Sequence, residues 1–311
     1  MFDRLMEWIG QYDRIIIHRH SSPDGDALGS QIGLKHILRD AFPEKQVYAV
    51  GDSAGRYAFM DGSEMDEVPD EWFLDALAII LDTSAQRLIS DKRYATAKAT
   101  ARMDHHLFCE PIAQVEVVDP SFESCCGLVT QFAITCGLPV SAAAAKALYT
   151  GMVTDSGRFR YEPTGPRTFR LAAFLRERPF DARDIYQSLY ANDYDQLCLR
   201  ARFILKMDLS RPGIASIYTT REEMRELGQD TFSISRGMVN VMADIRGVEA
   251  WANFTETEEG VLCELRSNRL DIHDIAVQYG GGGHANACGA TLKDRQEAMR
   301  LLDDLQKRVQ P

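Results

Sequence analysis

The chain has 311 residues, 45% of them hydrophobic, which favours two domains over one and supplies enough apolar side chains for two packed cores. Its formal net charge of −11 argues against a protein that holds long nucleic acid on a broad basic face, because that binding depends on many lysines and arginines. The apolar runs fall short of the roughly 18 residues that a membrane span needs, and the N-terminus lacks the plan of a signal peptide, so a cytoplasmic protein without membrane contact is expected.

The first half of the chain alternates strand-like and helix-like segments. Short apolar runs predict five strands, at residues 14–18, 47–50, 77–81, 101–103 and 115–118. Helical patterns begin at Asp26 and recur at about 124–136 and 142–152. This alternation predicts an α/β domain with a parallel sheet and helices on both of its faces.

The second half begins with a long helical and charged stretch, from about residue 167 to 209. Strand and helix patterns then resume, with strands at 214–218, 248–254 and 261–265 and helices at 235–245 and 271–279. We therefore predict a first domain over residues 1–190, a helical connector over 191–210 and a smaller α/β domain over 211–311.

The loop after the first predicted strand carries His20, Asp24 and Asp26. Two carboxylates separated by one glycine can point toward two adjacent cations, and a nearby imidazole favours manganese, iron, cobalt or zinc over calcium. The same Pro-Asp-Gly-Asp sequence is also typical of a tight turn.

Asp82 directly follows the third predicted strand, where it could bind a cation or cap the next helical segment. Asp104, His105 and His106 follow the fourth strand. Adjacent side chains on an extended chain point in opposite directions, so only one histidine is expected to face a given ion. A histidine pair on a protein surface would give the same pattern.

Asp155 lies at the end of a predicted helix, where the helix dipole disfavours a negative charge. A cation would compensate for that position. The alternative is a loop aspartate that bonds to Ser156 or Arg158.

Four consecutive glycines at 280–283 precede His284. Glycines let backbone N–H groups approach an anion closely, so an anion-binding loop is predicted, although a flexible linker would have the same composition. The run is neither a Walker loop nor a dinucleotide-binding fingerprint.

In their order along the chain, these motifs resemble those of the DHH phosphoesterases, and Arg266, Ser267 and the glycine run resemble the accessory domain DHHA1. The resemblance covers essentially the whole chain. A two-domain chain of this size is similar to the bifunctional oligoribonuclease and PAP phosphatase group, which hydrolyses very short RNA and 3′-phosphoadenosine 5′-phosphate.

The resemblance implies two manganese ions, which hold a bridging hydroxide as the nucleophile and neutralise charge on the phosphoryl oxygens. One ion would be bound by His20, Asp24 and Asp82, and the other by Asp26, His105 and Asp155, with Asp82 bridging. His106 would face the scissile phosphate as a catalytic and substrate-binding residue. The other expected substrate contacts are Arg158, Arg266, Ser267, Gly281, Gly282, Gly283 and His284.

Other functions fit the same motifs. A phosphodiesterase for cyclic di-AMP or linear dinucleotides needs the same metal ligands, and a nucleotide-binding sensor would use the site only for binding. A family II inorganic pyrophosphatase resembles only the first domain and lacks the glycine and histidine loop. The expected partner is short RNA or a mononucleotide bisphosphate rather than a long duplex, and a homodimer is compatible with the sequence.

Overall fold

The computed structural model of the protein describes residues 2–161, 163–191 and 193–309. The chain divides into two compact units, residues 1–191 and residues 192–311, called here the first and second unit. The domain limits at residues 190 and 210 remain predictions. None of the described helices is both long enough and apolar enough to cross a membrane.

The first unit is built on a sheet of five strands that are all parallel, which confirms the predicted α/β class. The strands are β1 (Arg14–His18), β2 (Gln46–Ala49), β3 (Leu77–Leu81), β4 (Ala99–Asp104) and β5 (Val115–Val118). Their order across the sheet is β2-β1-β3-β4-β5. Strand β3 is buried along its whole length, as expected for the centre of a parallel sheet.

Helices cover both faces of this sheet: α-helices pack on one face and short 3-10 helices on the other. The α-helices of the first unit are α1 (Asp3–Gln11), α2 (Gly25–Ala41), α3 (Cys125–Thr135), α4 (Ala142–Asp155), α5 (Pro166–Arg176) and α6 (Ala182–Tyr190). Helices α1 to α5 share the main core with alternate sheet residues such as Ile15 and Ile79. On the other face, Phe73 and Tyr94 from short 3-10 helices pack against Ile16 and Ile80.

Helices α2 and α4 touch through glycines spaced four residues apart on α2. A Cβ atom added to Gly29 would lie 2.6 Å from the carbonyl oxygen of Ala147, and one added to Gly25 would lie 2.5 Å from the Thr154 hydroxyl. Gly33 meets Leu148 in the same way. This close, antiparallel contact brings the start of α2 beside the end of α4.

The second unit contains a mixed sheet of order β6-β7-β8-β10-β9, in which only β6 and β7 are parallel. Its strands are β6 (Ile214–Thr219), β7 (Ala250–Glu256), β8 (Val261–Ser267), β9 (Gly282–His284) and β10 (Ala287–Leu292). Its helices are α7 (Tyr194–Lys206), α8 (Arg221–Leu227), α9 (Thr231–Met238), α10 (His273–Gln278) and α11 (Arg295–Val309). Leu301 and Leu305 of α11 pack on one face of the sheet, while Phe203 of α7 and Trp251 share a core on the other.

Two segments of the second unit differ from their predicted form. The helix expected at 235–245 begins earlier, because the Asp230 side chain accepts a hydrogen bond from the Ser233 N–H and so caps α9. It also ends earlier, at Met238, and a short 3-10 helix follows at Val239–Met242. The glycine run, expected as a loop, ends in the edge strand β9, which pairs with β10. The hydrogen bonds of this pairing hold the backbone of the glycine-rich segment in an extended conformation.

Candidate metal centre

Three neighbouring strands of the first unit deliver the predicted ligands to one edge of the sheet. His20 lies just beyond β1, Asp82 follows β3, and Asp104 ends β4. The carboxyl ends of parallel strands meet at one edge, which is where α/β proteins place their sites. The contact between α2 and α4 adds Asp24 and Asp26 from the start of α2 and Asp155 from the end of α4.

One cluster contains His20, Asp24 and Asp82, whose ligand atoms all lie within 4.8 Å of one another. His20 Nε2 is 3.5 Å from Asp82 Oδ2 and 3.9 Å from Asp24 Oδ1. Asp24 also caps α2, because its Oδ1 accepts hydrogen bonds from the N–H groups of Asp26 and Ala27. The capping contact fixes the position of this carboxylate.

A second cluster contains Asp26, His105 and Asp155, again within 4.8 Å. His105 Nε2 is 3.6 Å from Asp26 Oδ2 and 3.5 Å from Asp155 Oδ2. It is also 3.4 Å from Asp82 Oδ1. Asp82 therefore turns one oxygen toward each cluster, which is the geometry of a bridging ligand.

The surroundings of Asp82 fit a cation. Its side chain is only 2% exposed, and within the described residues Oδ1 accepts no hydrogen bond; two imidazole nitrogens, His105 Nε2 and His106 Nδ1, lie 3.4 and 3.6 Å from it. A buried carboxylate oxygen that accepts no hydrogen bond is costly, and a positive ion would compensate for it. Asp82 also has a φ of 48°, an unusual backbone conformation for a residue other than glycine. Such strain is typical of functional sites.

The titration behaviour of the clusters reflects an excess of carboxylates. Burial, reinforced by Asp82, raises the pKa of Asp155 to about 7, and burial with the same neighbour raises the pKa of Asp26. Burial opposes a charge on His20, but its contacts with Asp24 and Asp82 outweigh burial and raise its pKa to about 11. Protons thus supply positive charge that bound cations would otherwise supply.

Asp26 has a support that the sequence does not reveal. Its carboxylate accepts hydrogen bonds from the backbone N–H groups of Cys125 and Cys126, at 2.6 and 2.9 Å. These donors lie in the first turn of α3, where N–H groups lack helical partners and the helix dipole favours an anion. Any residue type supplies such donors, so no side-chain motif marks them.

His106 is oriented by a chain of buried groups. Its Nδ1 lies 2.7 Å from Asp104 Oδ1, and the other oxygen of Asp104 accepts a hydrogen bond from Arg102. Asp104 and Arg102 are both fully buried, whereas the His106 side chain is 45% exposed. The arrangement leaves His106 Nε2 for a substrate.

The substrate contacts predicted in the second unit lie on β8 and around β9, the two strands that flank β10. Arg266 and Ser267 end β8, and Arg266 is aligned with Ala287 of β10, which pairs with His284. Arg266 Nη2 is 3.1 Å from Glu264 Oε2, and the Ser267 hydroxyl donates to the carbonyl of Leu270. Both side chains therefore have partners inside the unit.

The predicted glycines differ in the space that surrounds them, and hence in whether a side chain would fit. A Cβ atom at Gly281 would lie 2.1 Å from the carbonyl oxygen of Gly289, and one at Gly283 would lie 2.4 Å from that of Ala287. Gly282 faces open space, with no heavy atom within 4 Å of such a Cβ. Packing explains Gly281 and Gly283, whereas Gly282 leaves room for a ligand.

Arg158, the remaining predicted substrate contact, lies three residues after Asp155 in the first unit. Its guanidinium carbon is 4.4 Å from the centre of the Tyr190 ring. The structure therefore puts Arg158 in a different unit from Arg266, Ser267 and His284.

Comparisons with known proteins agree with this architecture. Residues 14–152 match the DHH family, N-terminal domain, and residues 229–310 match the DHHA1 domain. The bifunctional oligoribonuclease and PAP phosphatase NrnA of Bacillus subtilis is 33% identical to this chain, over 98% of each. A probable protein of the same name from Streptococcus mutans is 32% identical, over 98% of this chain and 99% of its own. The crystal structure of an exopolyphosphatase-related protein from Bacteroides fragilis superimposes with a TM-score of 0.85 at 27% identity, covering 98% of this chain and 95% of that one.

Proposed function

We propose, since this chain belongs to the DHH family and carries a C-terminal DHHA1 domain, that it is a metal-dependent phosphoesterase acting on short oligoribonucleotides and 3′-phosphoadenosine 5′-phosphate. The observation that carries the proposal is the pair of ligand clusters, with Asp82 belonging to one and lying 3.4 Å from His105 of the other. The full-length likeness to relatives named for both activities supports the choice of substrates.

We propose two manganese ions as the cofactor. His20, Asp24 and Asp82 would hold one, and Asp26, His105 and Asp155 would hold the other. The mixture of carboxylate and imidazole ligands suits manganese better than calcium. Bound ions would polarise the phosphoryl group and offset the negative charge that develops on its oxygens during hydrolysis.

The residues of the chain would then hold and orient the reacting groups. Asp82 would fix the spacing of the clusters, because its two oxygens face them separately. His106 Nδ1 would donate to Asp104, which leaves Nε2 to contact a phosphoryl oxygen or the leaving oxygen. Arg266, Ser267, Gly282 and His284 remain our proposed side-chain and open-space substrate contacts in the second unit, with Gly281 and Gly283 shaping the segment between them.

A substrate panel tests this function. Purified protein with manganese is expected to hydrolyse 3′-phosphoadenosine 5′-phosphate and a 5′-phosphorylated diribonucleotide, and to leave a long oligonucleotide largely intact. The same reactions with a chelator are the control and should show no turnover. Absence of hydrolysis with manganese, magnesium, cobalt and zinc would contradict the proposal.

A further inference from the structure

A separate cavity in the first unit differs in character from the metal centre. Its volume is about 320 Å³, and it is formed by the segment Gly55–Tyr57, the turn after α4 and the end of α6. Thr154, the neighbour of the candidate ligand Asp155, also lines it. The aromatic and basic lining residues are Arg56, Tyr57, Arg158, Arg160, Tyr161 and Tyr190, and no carboxylate is among the described residues that line it. We call this cavity the Arg/Tyr pocket.

The turn that builds one wall of the pocket has an unusual backbone. Gly157, Arg158 and Phe159 all have left-handed conformations, with φ values of 56°, 64° and 62°. The buried Ser156 holds the turn, because its Oγ accepts from the Phe159 N–H at 2.9 Å and its carbonyl accepts from the Arg160 N–H at 2.9 Å. Two adjacent non-glycine residues in this conformation store strain, which is expected where a function requires their side chains.

Arginines from two distant segments pack on tyrosines in this pocket. The guanidinium carbon of Arg56 is 4.7 Å from the centre of the Tyr57 ring, and that of Arg158 is 4.4 Å from the Tyr190 ring. In the parts of the chain that the structure describes, neither Arg56 nor Arg158 forms an ion pair with a carboxylate. In a chain of net charge −11, these two arginines form a local concentration of positive charge.

The arginines and tyrosines of the pocket are suited to a ligand that carries both a phosphate and a nucleobase. Guanidinium groups form paired hydrogen bonds to phosphate oxygens, and tyrosine rings stack on nucleobases. The pocket volume is near the lower end of the range for ligand sites, about 300 to 1,000 Å³, so it suits one nucleotide rather than an extended strand.

We propose that the Arg/Tyr pocket binds one nucleotide unit of the substrate, with its phosphate at Arg56 and Arg158 and its base against Tyr161 and Tyr190, since the third tyrosine, Tyr57, is buried. This inference rests on the proposed function and names a specificity determinant for it. A substrate with two phosphates could place one at the metal centre and the other in the pocket. The pocket would therefore favour dinucleotides and nucleoside bisphosphates over small phosphodiesters that lack a second phosphate.

Substrate discrimination provides the first test. The ratio of kcat/KM for a 5′-phosphorylated diribonucleotide to that for bis(4-nitrophenyl) phosphate is expected to fall about tenfold or more in Arg56→Met and in Arg158→Met. The matched control is Arg4→Met, because Arg4 also packs on an aromatic ring, Trp8 of α1, but lies outside the pocket. An unchanged ratio in both pocket variants would overturn the proposal.

Binding provides a second test that needs no turnover. Adenosine 5′-monophosphate is titrated into the chelator-treated full chain by calorimetry, with adenosine and inorganic phosphate as separate probes. We expect the nucleotide to bind more tightly than either probe, and its affinity to fall about tenfold in the two pocket variants but not in Arg4→Met. Equal affinity in the wild type and both pocket variants would contradict nucleotide binding in the pocket.

The two tests separate the pocket from the proposed function. A wild-type protein that hydrolyses no phosphoester but loses nucleotide affinity in the pocket variants would contradict the proposed function and support the pocket. Thermal denaturation of each variant identifies any folding defect. The two arginines lie in different segments, so one variant remains informative if the other does not fold.

Discussion

The carboxylate of Asp82 faces both ligand clusters, whereas Asp24 belongs to only one of them. His20 and His105 approach different oxygens of Asp82, at 3.5 and 3.4 Å. Both residues are aspartates, but Asp82 is placed to bind two ions and Asp24 only one. This difference allows the number of bound ions to be related to individual residues.

We predict that Asp24→Asn weakens the binding of one manganese ion by more than about tenfold and spares the other, while Asp82→Asn weakens both. Asparagine is itself a good helix N-cap, so Asp24→Asn should preserve α2. Calorimetric titration with manganese measures the number and affinity of the ions. Loss of one ion only in Asp82→Asn would contradict a bridging role.

Two neighbouring glycines form another matched pair. Gly281→Ala should lower the free energy of unfolding by about 1 to 3 kcal/mol, because its Cβ would meet the backbone of β10. Gly282→Ala should keep wild-type stability and lower dinucleotide hydrolysis by about tenfold, because the space at Gly282 is open to a ligand. Thermal denaturation and an activity assay measure the two effects. Full activity in Gly282→Ala would argue against substrate contact there.

The lowered pKa of Asp52 leads us to predict that the protein loses stability in acid. Partial burial disfavours its charge, but the Ser22 N–H, Arg19 and Ser90 donate hydrogen bonds to it and hold its pKa at about 2, below the ordinary 3.8. A depressed carboxyl pKa contributes stability that is present above about pH 4 and is lost as the pH falls through 2. Asp52→Asn should therefore lose less stability than the wild type between about pH 4 and 2. Urea denaturation at several pH values measures the free energy of unfolding of both proteins. The same loss of this free energy in the variant and the wild type between about pH 4 and 2 would contradict the assignment.

At the scale of elements, the contact between α2 and α4 determines where the ligands meet. We predict that Gly29→Ala destabilises the protein by about 1 to 3 kcal/mol and weakens manganese binding, because its Cβ would press on the Ala147 carbonyl. Gly10→Ala in α1 is the matched control. No heavy atom lies within 4 Å of a Cβ at Gly10, so alanine should be neutral or stabilising by up to about 1 kcal/mol there. Similar unfolding curves for the two variants would contradict the close-packing argument.

The elements also show which features could be predicted from the sequence. Buried strands such as β1 and β3 are recognisable as apolar runs. Asp82 could be predicted because it follows β3, and Asp155 because it lies at the end of α4. The support of Asp26 was missed, because it comes from backbone N–H groups of α3 that carry no residue signature. The Arg/Tyr pocket was missed as well, since Arg56 and Tyr190 are far apart in the sequence and only the folded chain brings them together.

At the scale of the whole molecule, the candidate metal ligands all lie in the first unit, and the glycine run lies in the second. Each unit has its own hydrophobic core. Stabilisation by a ligand acts on the part of the fold that binds it. Metal binding should therefore affect the two units differently.

We predict that manganese alone slows hydrogen exchange at the start of α2 and the end of α4 and leaves β8 and β10 unchanged. Mass spectrometry of peptides from the full chain, with manganese or with a chelator, measures this difference. Equal changes in both units would mean that the ions bind elsewhere or that the units respond together.

The glycine contact between α2 and α4 also bears on how this site could be redesigned. Asp26 and Asp155 are carried by opposite partners of that contact, so their separation is set by a van der Waals distance between two helices. A graded series of small residues at Gly29 or Gly33 would act as a spacer between the helices. Such a series could shift the preference of the site among ions of different radius without replacing any metal ligand.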